Sequence, residues 1–362
     1  FYQYSKKYLN PKPQMNKITT LLFLLFLCSV KLSAQNNYSI PAQSPFTHHA
    51  GIAFNILFTN WLNDPSIMYD ADKKNKCATD RLTQITKRFK LVRIYSFLIG
   101  GFENTGTLDP DAAALMNVMK ADSEVEGVIG TSNDKAWFLN SDNVDTWVSK
   151  LKDELGDNIS QVKCILIGNE VNLNGYSPDD IKIIMENYKS ALGDINIPVT
   201  FSVGNLAPQP GGNVEEALVE VLVNNWDEKW NGGFPFVFID PYPDAPGIGS
   251  PAGVYDWQSR VTKYYQTKYP KLQIFIGETG AEGSANDAAE LPVINGLLSQ
   301  LDIQYKAHGK TVPTFLMEAL DEPRKTGTPP QGNMGIFKDN NDPMQGSTIS
   351  IKSGIVVPDW IK

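Results

Sequence analysis

Eight short apolar runs recur along this chain at nearly even spacing, and they constrain its fold more than any other feature. They lie at residues 51–56, 91–95, 127–130, 163–167, 198–203, 236–239, 273–276 and 314–317. Runs of β-branched and aliphatic residues without polar alternation are typical of parallel strands that are buried on both faces. The runs recur roughly every 35 to 40 residues, and each interval carries an amphipathic stretch. The pattern predicts an α/β fold, a (β/α)8 TIM barrel in a single domain.

Two intervals illustrate the helical signal. Thr79–Phe89 is amphipathic, and Ser177–Tyr188 adds a Ser N-cap, a proline at the first helical position and acidic residues in the first turn. A doubly wound open sheet would show the same alternation of strands and helices. The chain lacks the Gly-x-Gly-x-x-Gly turn of many such sheets, so the barrel is the preferred interpretation.

Two glutamates follow apolar runs in matching contexts. Glu170 closes Ile-Leu-Ile-Gly-Asn-Glu, and Glu278 closes Ile-Phe-Ile-Gly-Glu. They lie 108 residues apart, about three strand–helix units, which places them at the ends of strands 4 and 7 of the predicted barrel. The carboxyl ends of all barrel strands meet at one rim, so we expect the two side chains to face each other there.

Paired carboxyl groups at such a rim are the machinery of retaining glycosidases. One carboxyl gives a proton to the leaving oxygen and the other attacks the anomeric carbon, at a separation of about 5 to 5.5 Å. Like charges at that distance push the two pKa values apart, so that one group stays protonated. Asn169, beside the predicted acid, is a donor for a sugar hydroxyl. The alternative is that both glutamates are strand-end acids that pair with Arg or Lys.

The first residues have the pattern of a secretory leader. Residues 18–30 form an apolar run that is too short to span a bilayer comfortably, and a small-residue cleavage site follows at Leu32-Ser-Ala34. We therefore predict an upstream extension at 1–14, a signal peptide at 15–34 and a (β/α)8 catalytic domain at 35–362. The protein would be secreted or periplasmic, with no membrane span after cleavage.

The apolar N-terminal run has two alternative interpretations. A retained membrane anchor is one alternative. A lipoprotein anchor on Cys28 is disfavoured, because Leu27 stands where a small residue is expected.

Composition excludes several classes of protein. The chain is 42% hydrophobic and 20% charged, as is ordinary for a globular enzyme, and its net charge is −8. Removal of the lysine-bearing leader would make it more acidic still. An acidic protein without a cluster of Lys and Arg is a poor partner for nucleic acid or an anionic membrane. A neutral substrate is easier to accommodate, and we expect a monomer.

No cofactor is expected from the motifs. The three histidines show no metal-binding spacing, and phosphate-loop and serine-hydrolase signatures are absent from the sequence. Cys77 and Cys164 would remain after processing. One disulfide between them is left open, although Cys164 within an apolar run favours a buried, inert thiol.

Several motifs together resemble glycoside hydrolase family 17. They are Ile167-Gly-Asn-Glu-Val171, Ile276-Gly-Glu-Thr-Gly280, Arg93-Ile-Tyr95, Asp321-Glu-Pro-Arg-Lys325 and Gly335-Ile-Phe337. The similarity runs from about residue 48 to 340 and places the chain beside a clan of retaining (β/α)8 glycosidases.

The resemblance implies residue roles and a substrate. Glu170 would be the acid/base and Glu278 the nucleophile. Tyr95, Glu322 and Lys325 match positions that line the cleft floor, and Tyr242 lies near the tyrosine of strand 6. Members of the family mostly act on β-1,3-glucans, so laminarin-like polysaccharide or oligosaccharide is the expected substrate.

The chain departs from the family pattern at two places. Ala281-Glu-Gly follows Gly280 where plant members have Trp-Pro, and Asp240 replaces an aromatic residue that is usual in strand 6. We therefore expect the subsites near Glu278 to differ from those of plant members.

Aromatic residues near the predicted rim are candidate sugar platforms, because a pyranose face packs against a π surface. Trp137 and Tyr176 are the preferred candidates, and Trp61, Phe102 and Tyr242 are further ones.

Two charged residues, Arg93 and Glu318, lie within strand runs. Each of them either belongs to an ion network in the barrel interior or contacts the substrate, and the sequence favours neither role.

Three functions remain open from the sequence. The preferred one is a secreted retaining endo-β-1,3-glucanase. A transglycosylase on the same scaffold would use the same two carboxylates, with a sugar hydroxyl in place of water. A catalytically silent carbohydrate-binding barrel is the third, and it would have no need of both glutamates.

Overall fold

The computed structural model describes residues 38–57, 59, 62, 64–67, 69–98, 107–204, 214–230, 233–281, 286–325, 332, 334–339 and 349–361. The predicted extension at 1–14 and signal peptide at 15–34, with Cys28, lie outside the described residues. In the part of the chain that is described, no helix is both long and apolar enough to cross a membrane.

Eight parallel strands form a closed barrel in which sequence neighbours are also spatial neighbours. The ring closes because β1 pairs with β8 as well as with β2; Gly51, for example, faces Phe315 and Leu91. The predicted TIM barrel is therefore confirmed, and the open sheet is not formed. The strands are β1 (Ala50–Ala53), β2 (Leu91–Ile94), β3 (Glu126–Gly130), β4 (Val162–Ile167), β5 (Val199–Val203), β6 (Phe236–Ile239), β7 (Gln273–Gly280) and β8 (Thr314–Met317).

Helices follow the strands in the intervals that the sequence indicated. The capping box at Ser177 is present, with the Ser177 side chain accepting from the N–H of Asp180. The first helix begins earlier than the predicted Thr79, because the Asp70 side chain caps it by accepting from Lys73 N–H. The helices are α1 (Ala71–Ile85), α2 (Pro110–Ala121), α3 (Lys135–Phe138), α4 (Ser141–Leu155), α5 (Pro178–Leu192), α6 (Val214–Asn224), α7 (Pro251–Lys268) and α8 (Asp287–His308), with a 3₁₀ turn at Gly156–Gln161.

Aromatic packing closes the end of the barrel at which the strands begin. Phe46 is 4% exposed, and its ring centroid lies 5.7 to 6.3 Å from the rings of Phe236, Phe238, Phe275 and Phe315. The barrel interior at this level is a packed core, as is usual for eight strands. Among the described residues this packing closes the barrel interior from that end.

The two described cysteines are buried, and neither forms a disulfide. Cys77 lies on α1 and Cys164 points into the core on β4. The disulfide that the sequence left open is not formed.

A small antiparallel sheet outside the barrel was not predicted from the sequence. It pairs β9 (Phe337–Asp339) with β10 (Ile349–Ile351). Arg81 on α1 forms a buried ion pair with Asp339, which fixes this sheet against the barrel helices. Three-residue strands carry too few residues for a period-2 pattern to be recognised.

Candidate active site

A cavity of about 390 Å³ lies at the carboxyl ends of the strands. Its volume is within the range of small-molecule sites. Six of the nine predicted site residues line it together, and Glu170 and Glu278 are among them. The lining residues are Asn55, Tyr95, Asn169, Glu170, Asp240, Tyr242, Ala245, Glu278, Met317, Lys325 and Met334.

Glu170 reaches the cavity through an unusual backbone turn after β4. Its φ is +45°, in the left-handed region that non-glycine residues rarely adopt, and Gly168 before it has φ +55°. Glycine suits this positive φ because it has no Cβ, and a Cβ there would also lie 2.9 Å from Asn133 Oδ1. The Glu170 N–H donates to Ser202 Oγ at 2.9 Å, which holds the turn. Strained backbone of this kind is concentrated at functional sites.

Glu278 lies within β7 and is 6% exposed. Tyr242 donates its hydroxyl to Glu278 Oε2 at 3.0 Å, and Arg93 Nη2 lies 3.2 Å from Oε1. The Tyr242 contact is a charge-assisted hydrogen bond and therefore strong, whereas the Arg93 contact is an ion pair. They fix the direction of the carboxyl group at the cavity wall.

Arg93 connects the two sides of the site from beneath. Its side chain is 1% exposed and donates to Gly277 O and to Asn169 Oδ1, both at 2.6 Å. Burial alone would lower the pKa of Arg93, but the acidic groups around it outweigh burial and raise it. Of the two roles that the sequence left open, the structure places Arg93 in an interior ion network that touches Glu278.

Tyr95 and Asn169 complete the wall next to the glutamates. The Tyr95 hydroxyl donates to Met317 Sδ at 2.8 Å, and burial raises the pKa of Tyr95. Asn169 Oδ1 accepts from Arg93 and, at 3.2 Å, from Ser202 Oγ. Among the described residues none accepts a hydrogen bond from the Asn169 side-chain nitrogen, so this donor is available at the cavity.

Lys325 brings a positive charge to the cavity from the segment after β8. Its Nζ lies 3.4 Å from Glu322 and 4.0 Å from Glu318, and both acids have fully buried side chains. Burial and the neighbouring Glu322 raise the pKa of Glu318. Glu322 is thus a partner of Lys325 beneath the surface, whereas the resemblance had placed it on the cleft floor.

The two preferred aromatic platforms lie away from the cavity. Tyr176 is 2% exposed and packs under Gly168, because the chain turns back to the core after the Glu170 loop. Trp137 lies on α3 against Phe138, at 4.8 Å between ring centroids. Neither prediction as a sugar platform is supported by these positions. Trp61 and Phe102 lie outside the described residues.

Sequence reasoning missed several cavity residues. Asn55, Ala245 and Met334 carry no motif that would have singled them out. Asp240 had a signal, since it is an acid at the end of an apolar run and two residues before Tyr242.

Comparison with known proteins adds structural neighbours. No family model matches the chain, and no curated protein matches it. A glycoside hydrolase family 17 β-1,3-glucanosyltransferase from Rhizomucor miehei is 17% identical with a TM-score of 0.53, covering 86% of this chain and 98% of that one. An active-site mutant of the R. miehei β-1,3-glucanosyltransferase, in complex with laminaritriose, is 16% identical with a TM-score of 0.52 and the same coverage.

A plant β-glucan endohydrolase is also similar, at 16% identity with a TM-score of 0.55, covering 79% of this chain and 96% of that one. At this level of identity the likeness establishes the fold. Solved structures that share the barrel of this chain therefore include an enzyme of family 17, the family that its motifs resemble.

Proposed function

We propose that this chain is a secreted retaining glycoside hydrolase of the family 17 type that cleaves β-1,3-glucan chains internally. The observation that carries the proposal is the presence of Glu170 and Glu278 on the walls of one cavity at the carboxyl rim of the barrel. Two carboxyl groups at one rim are what double displacement at a glycosidic bond requires.

In the first step Glu170 donates its proton to the glycosidic oxygen as the bond from that oxygen to the anomeric carbon breaks. Glu278 attacks the same carbon from the other face, which forms a covalent glycosyl-enzyme and releases the leaving chain with a new hydroxyl. In the second step the ionised Glu170 removes a proton from water as water attacks the anomeric carbon and frees Glu278. Two inversions retain the configuration.

The neighbouring side chains have supporting roles in this proposal. Arg93 and Tyr242 hold the Glu278 carboxylate in line with the anomeric carbon. The unused Asn169 side-chain nitrogen would donate to a sugar hydroxyl, and Lys325 would contact hydroxyls on the opposite wall. Preorganised contacts of this kind stabilise the charge that develops in the transition state.

The substrate class follows from the resemblance of the motifs and from the neighbours. The similar solved structures are described as a β-1,3-glucanosyltransferase and a β-glucan endohydrolase. A neutral polysaccharide also suits an acidic chain with net charge −8.

A second candidate is transfer of the glycosyl group to another sugar. Both R. miehei structures are described as glucanosyltransferases, which favours this alternative specifically. Transfer uses the same glycosyl-enzyme, with an acceptor hydroxyl in place of water.

The roles of the two carboxyl groups are tested by azide rescue. Glu170→Ala should lower the rate on natural glucan by about 10²- to 10⁴-fold. With a substrate whose leaving group needs no protonation, this variant should still form the glycosyl-enzyme, and azide should release a β-glycosyl azide. Glu278→Ala with azide should give the α-glycosyl azide.

The anomeric configuration of both adducts is measured by NMR. Glu186→Ala, at an exposed position on α5, is the matched control and should keep wild-type rates without azide adducts. The reverse pattern of adducts would exchange the roles. No cleavage of any glucan by the wild type would leave the carbohydrate-binding barrel as the function.

Product analysis distinguishes hydrolysis from transfer. Laminarin, mixed-linkage glucan and short β-1,3-oligomers are incubated with the wild type. We expect internal cleavage of laminarin into a series of oligomers. Products longer than the starting oligomers would favour transfer, and single glucose units alone would exclude internal cleavage.

A further inference from the structure

Asp240 is a buried acid in the wall of the cavity, and its carboxyl group lies near Arg93 without a well-aligned hydrogen bond from the described residues. It follows β6, and its side chain is 0% exposed. Neither of its oxygens has a well-aligned hydrogen bond from a described residue, although the nearby Ser202 hydroxyl opposes the rise in the Asp240 pKa. The hydroxyl of the nearby Ser202 donates to Asn169 instead. Buried polar atoms without partners are rare in folded proteins, so this group calls for an explanation.

The geometry around Asp240 is shared with Glu278. Arg93 Nη1 lies 3.8 Å from Asp240 Oδ1, and Nη2 of the same guanidinium lies 3.2 Å from Glu278 Oε1. Gly277 makes this approach feasible, because a Cβ there would lie 2.5 Å from Asp240 Oδ1 and 2.9 Å from Arg93 Nη1. One buried cation therefore serves two carboxyl groups.

We infer that Asp240 is a positioning residue for Glu278 and acts through the Arg93 guanidinium that the two carboxyl groups share. This inference rests on the proposed role of Glu278 as the nucleophile.

The charged groups around Asp240 determine whether its carboxyl group is protonated when it supports Glu278. Burial and the charge of Glu278 raise the pKa of Asp240, whereas Arg93 opposes them. Two carboxylates beside one buried guanidinium repel each other, so one of them is best kept protonated. The titratable groups that act on Asp240 or respond to it are Arg93 and Tyr95 from the β2 end, Glu170 after β4, Tyr242 after β6 and Glu278 in β7.

When Asp240 is protonated and neutral, the Arg93 guanidinium pairs with the Glu278 carboxylate rather than with Asp240. When Asp240 ionises, it attracts Nη1 and loosens the contact between Nη2 and Glu278. The nucleophile then loses its ion pair with Arg93 and keeps the hydrogen bond from Tyr242. Because burial and Glu278 raise the pKa of Asp240, this ionisation occurs at a higher pH than for an exposed aspartate, and attack by Glu278 slows as pH rises through it.

The test separates Asp240 from the acid/base. A Glu170→Ala variant acting on a β-laminaribiosyl fluoride needs no proton donor, so its alkaline fall in glycosyl-enzyme formation cannot come from Glu170. We expect that fall to be present in Glu170→Ala and to move upward by at least about one pH unit in Glu170→Ala/Asp240→Asn. The measured quantity is the pH at which the rate of glycosyl-enzyme formation falls on the alkaline side, and it does not depend on the maximal rate.

Asp111→Asn in the same background is the matched control, because Asp111 is a buried acid on α2 that does not line the cavity. In Glu170→Ala/Asp111→Asn the alkaline fall in rate should occur at the same pH as in Glu170→Ala. An Asp240→Asn limb that also stays in place would overturn the inference.

A second measurement does not depend on turnover. The carboxyl ¹³C signal of Asp240, assigned by its absence in Asp240→Asn, is followed against pH in the wild type and in Glu278→Gln. We expect the Asp240 pKa to lie well above about 3.9 and to fall when the neighbouring charge is removed. Titration near 3.9 in both proteins would also overturn the inference.

A failure of the proposed role of Glu278 gives a different result from a failure of the inference about Asp240. If Glu278→Ala retains wild-type cleavage, then Glu278 is not the nucleophile. If Glu278→Ala is inactive but the Asp240 limb does not move, only the role of Asp240 is wrong.

Discussion

Gly204, at the end of β5, leaves the space that the Glu170 carboxyl group occupies. A Cβ on this residue would lie 2.5 Å from Glu170 Oε1 and 2.8 Å from Leu173 Cδ1. Both atoms are ends of flexible side chains, which move more readily than backbone. A methyl group at Gly204 would therefore displace the proposed acid/base without disrupting the strand.

We expect Gly204→Ala to reduce the rate on natural glucan by up to about 10²-fold, since a displaced acid protonates the leaving oxygen poorly. The loss should be much smaller for a substrate that needs no protonation, and the melting temperature should change little. Steady-state rates on the two substrates provide the measurement.

Gly193→Ala is the matched control for this prediction. Gly193 follows α5 with φ +61° and ψ −115° and open space around it, so alanine strains the backbone by about 1 to 3 kcal/mol without approaching the site. It should lower stability and leave the rates unchanged. Equal losses on both substrates in Gly204→Ala would contradict the interpretation.

At the scale of structural elements, an ion cluster joins the C-terminal segment to the barrel. Lys352, which follows β10, lies 2.6 Å from Glu290 on α8 and 2.8 Å from Asp321 after β8. Asp321 Oδ1 also accepts from Gly335 N–H. The cluster therefore fixes the segment after β8 that carries Lys325 into the cavity.

The cluster makes stability depend on pH. Burial raises the pKa of Glu290 to about 7, although Lys352 opposes the shift. The unfolded chain ionises Glu290 near its ordinary value of 4.5, so its contribution to stability is complete below that pH and is lost as pH rises to about 7. The full loss is at most about 3 kcal/mol.

We expect Glu290→Gln to remove this decline in the free energy of unfolding and Lys352→Met to extend it to higher pH, because the lysine lowers the Glu290 pKa. Urea denaturation at intervals from pH 4 to pH 8 measures both effects. A difference between the wild type and Glu290→Gln that is constant over this range would contradict the assignment.

At the scale of the whole molecule, packing and chemistry occupy opposite ends of the barrel. Phe46 and the phenylalanines of β6, β7 and β8 close one end, while polar and charged residues gather at the other. Stability and activity can therefore be changed independently, as is general for this fold.

The predicted leader bears on the whole molecule as well. We expect the secreted protein to begin near Gln35, because the apolar run ends before the small residues Ser33 and Ala34. Intact-mass spectrometry of protein from the culture medium measures the mature end. A mature protein that starts at Met15 or carries an acylated Cys28 would contradict this prediction.

The sequence alone determined the eight barrel strands and the positions of the two glutamates along them. A strand buried on both faces is recognisable from its apolar run, and Gly-Asn-Glu follows the end of β4 as predicted. The predicted end of β7 was too early, because that strand continues through Gly-Glu-Thr to Gly280. The same locality explains why the Ser177 N-cap and the proline after it were predicted correctly.

The tertiary structure decided which side chains meet. Arg93, Asp240 and Glu278 come from three strands, and nothing in the sequence around any one of them encodes their shared guanidinium. Tyr176 follows the Glu170 loop, yet its ring lies in the core, because one turn of backbone decides which way a side chain points. Periodicity encodes burial along a segment, whereas contacts across the barrel depend on closure of the whole ring.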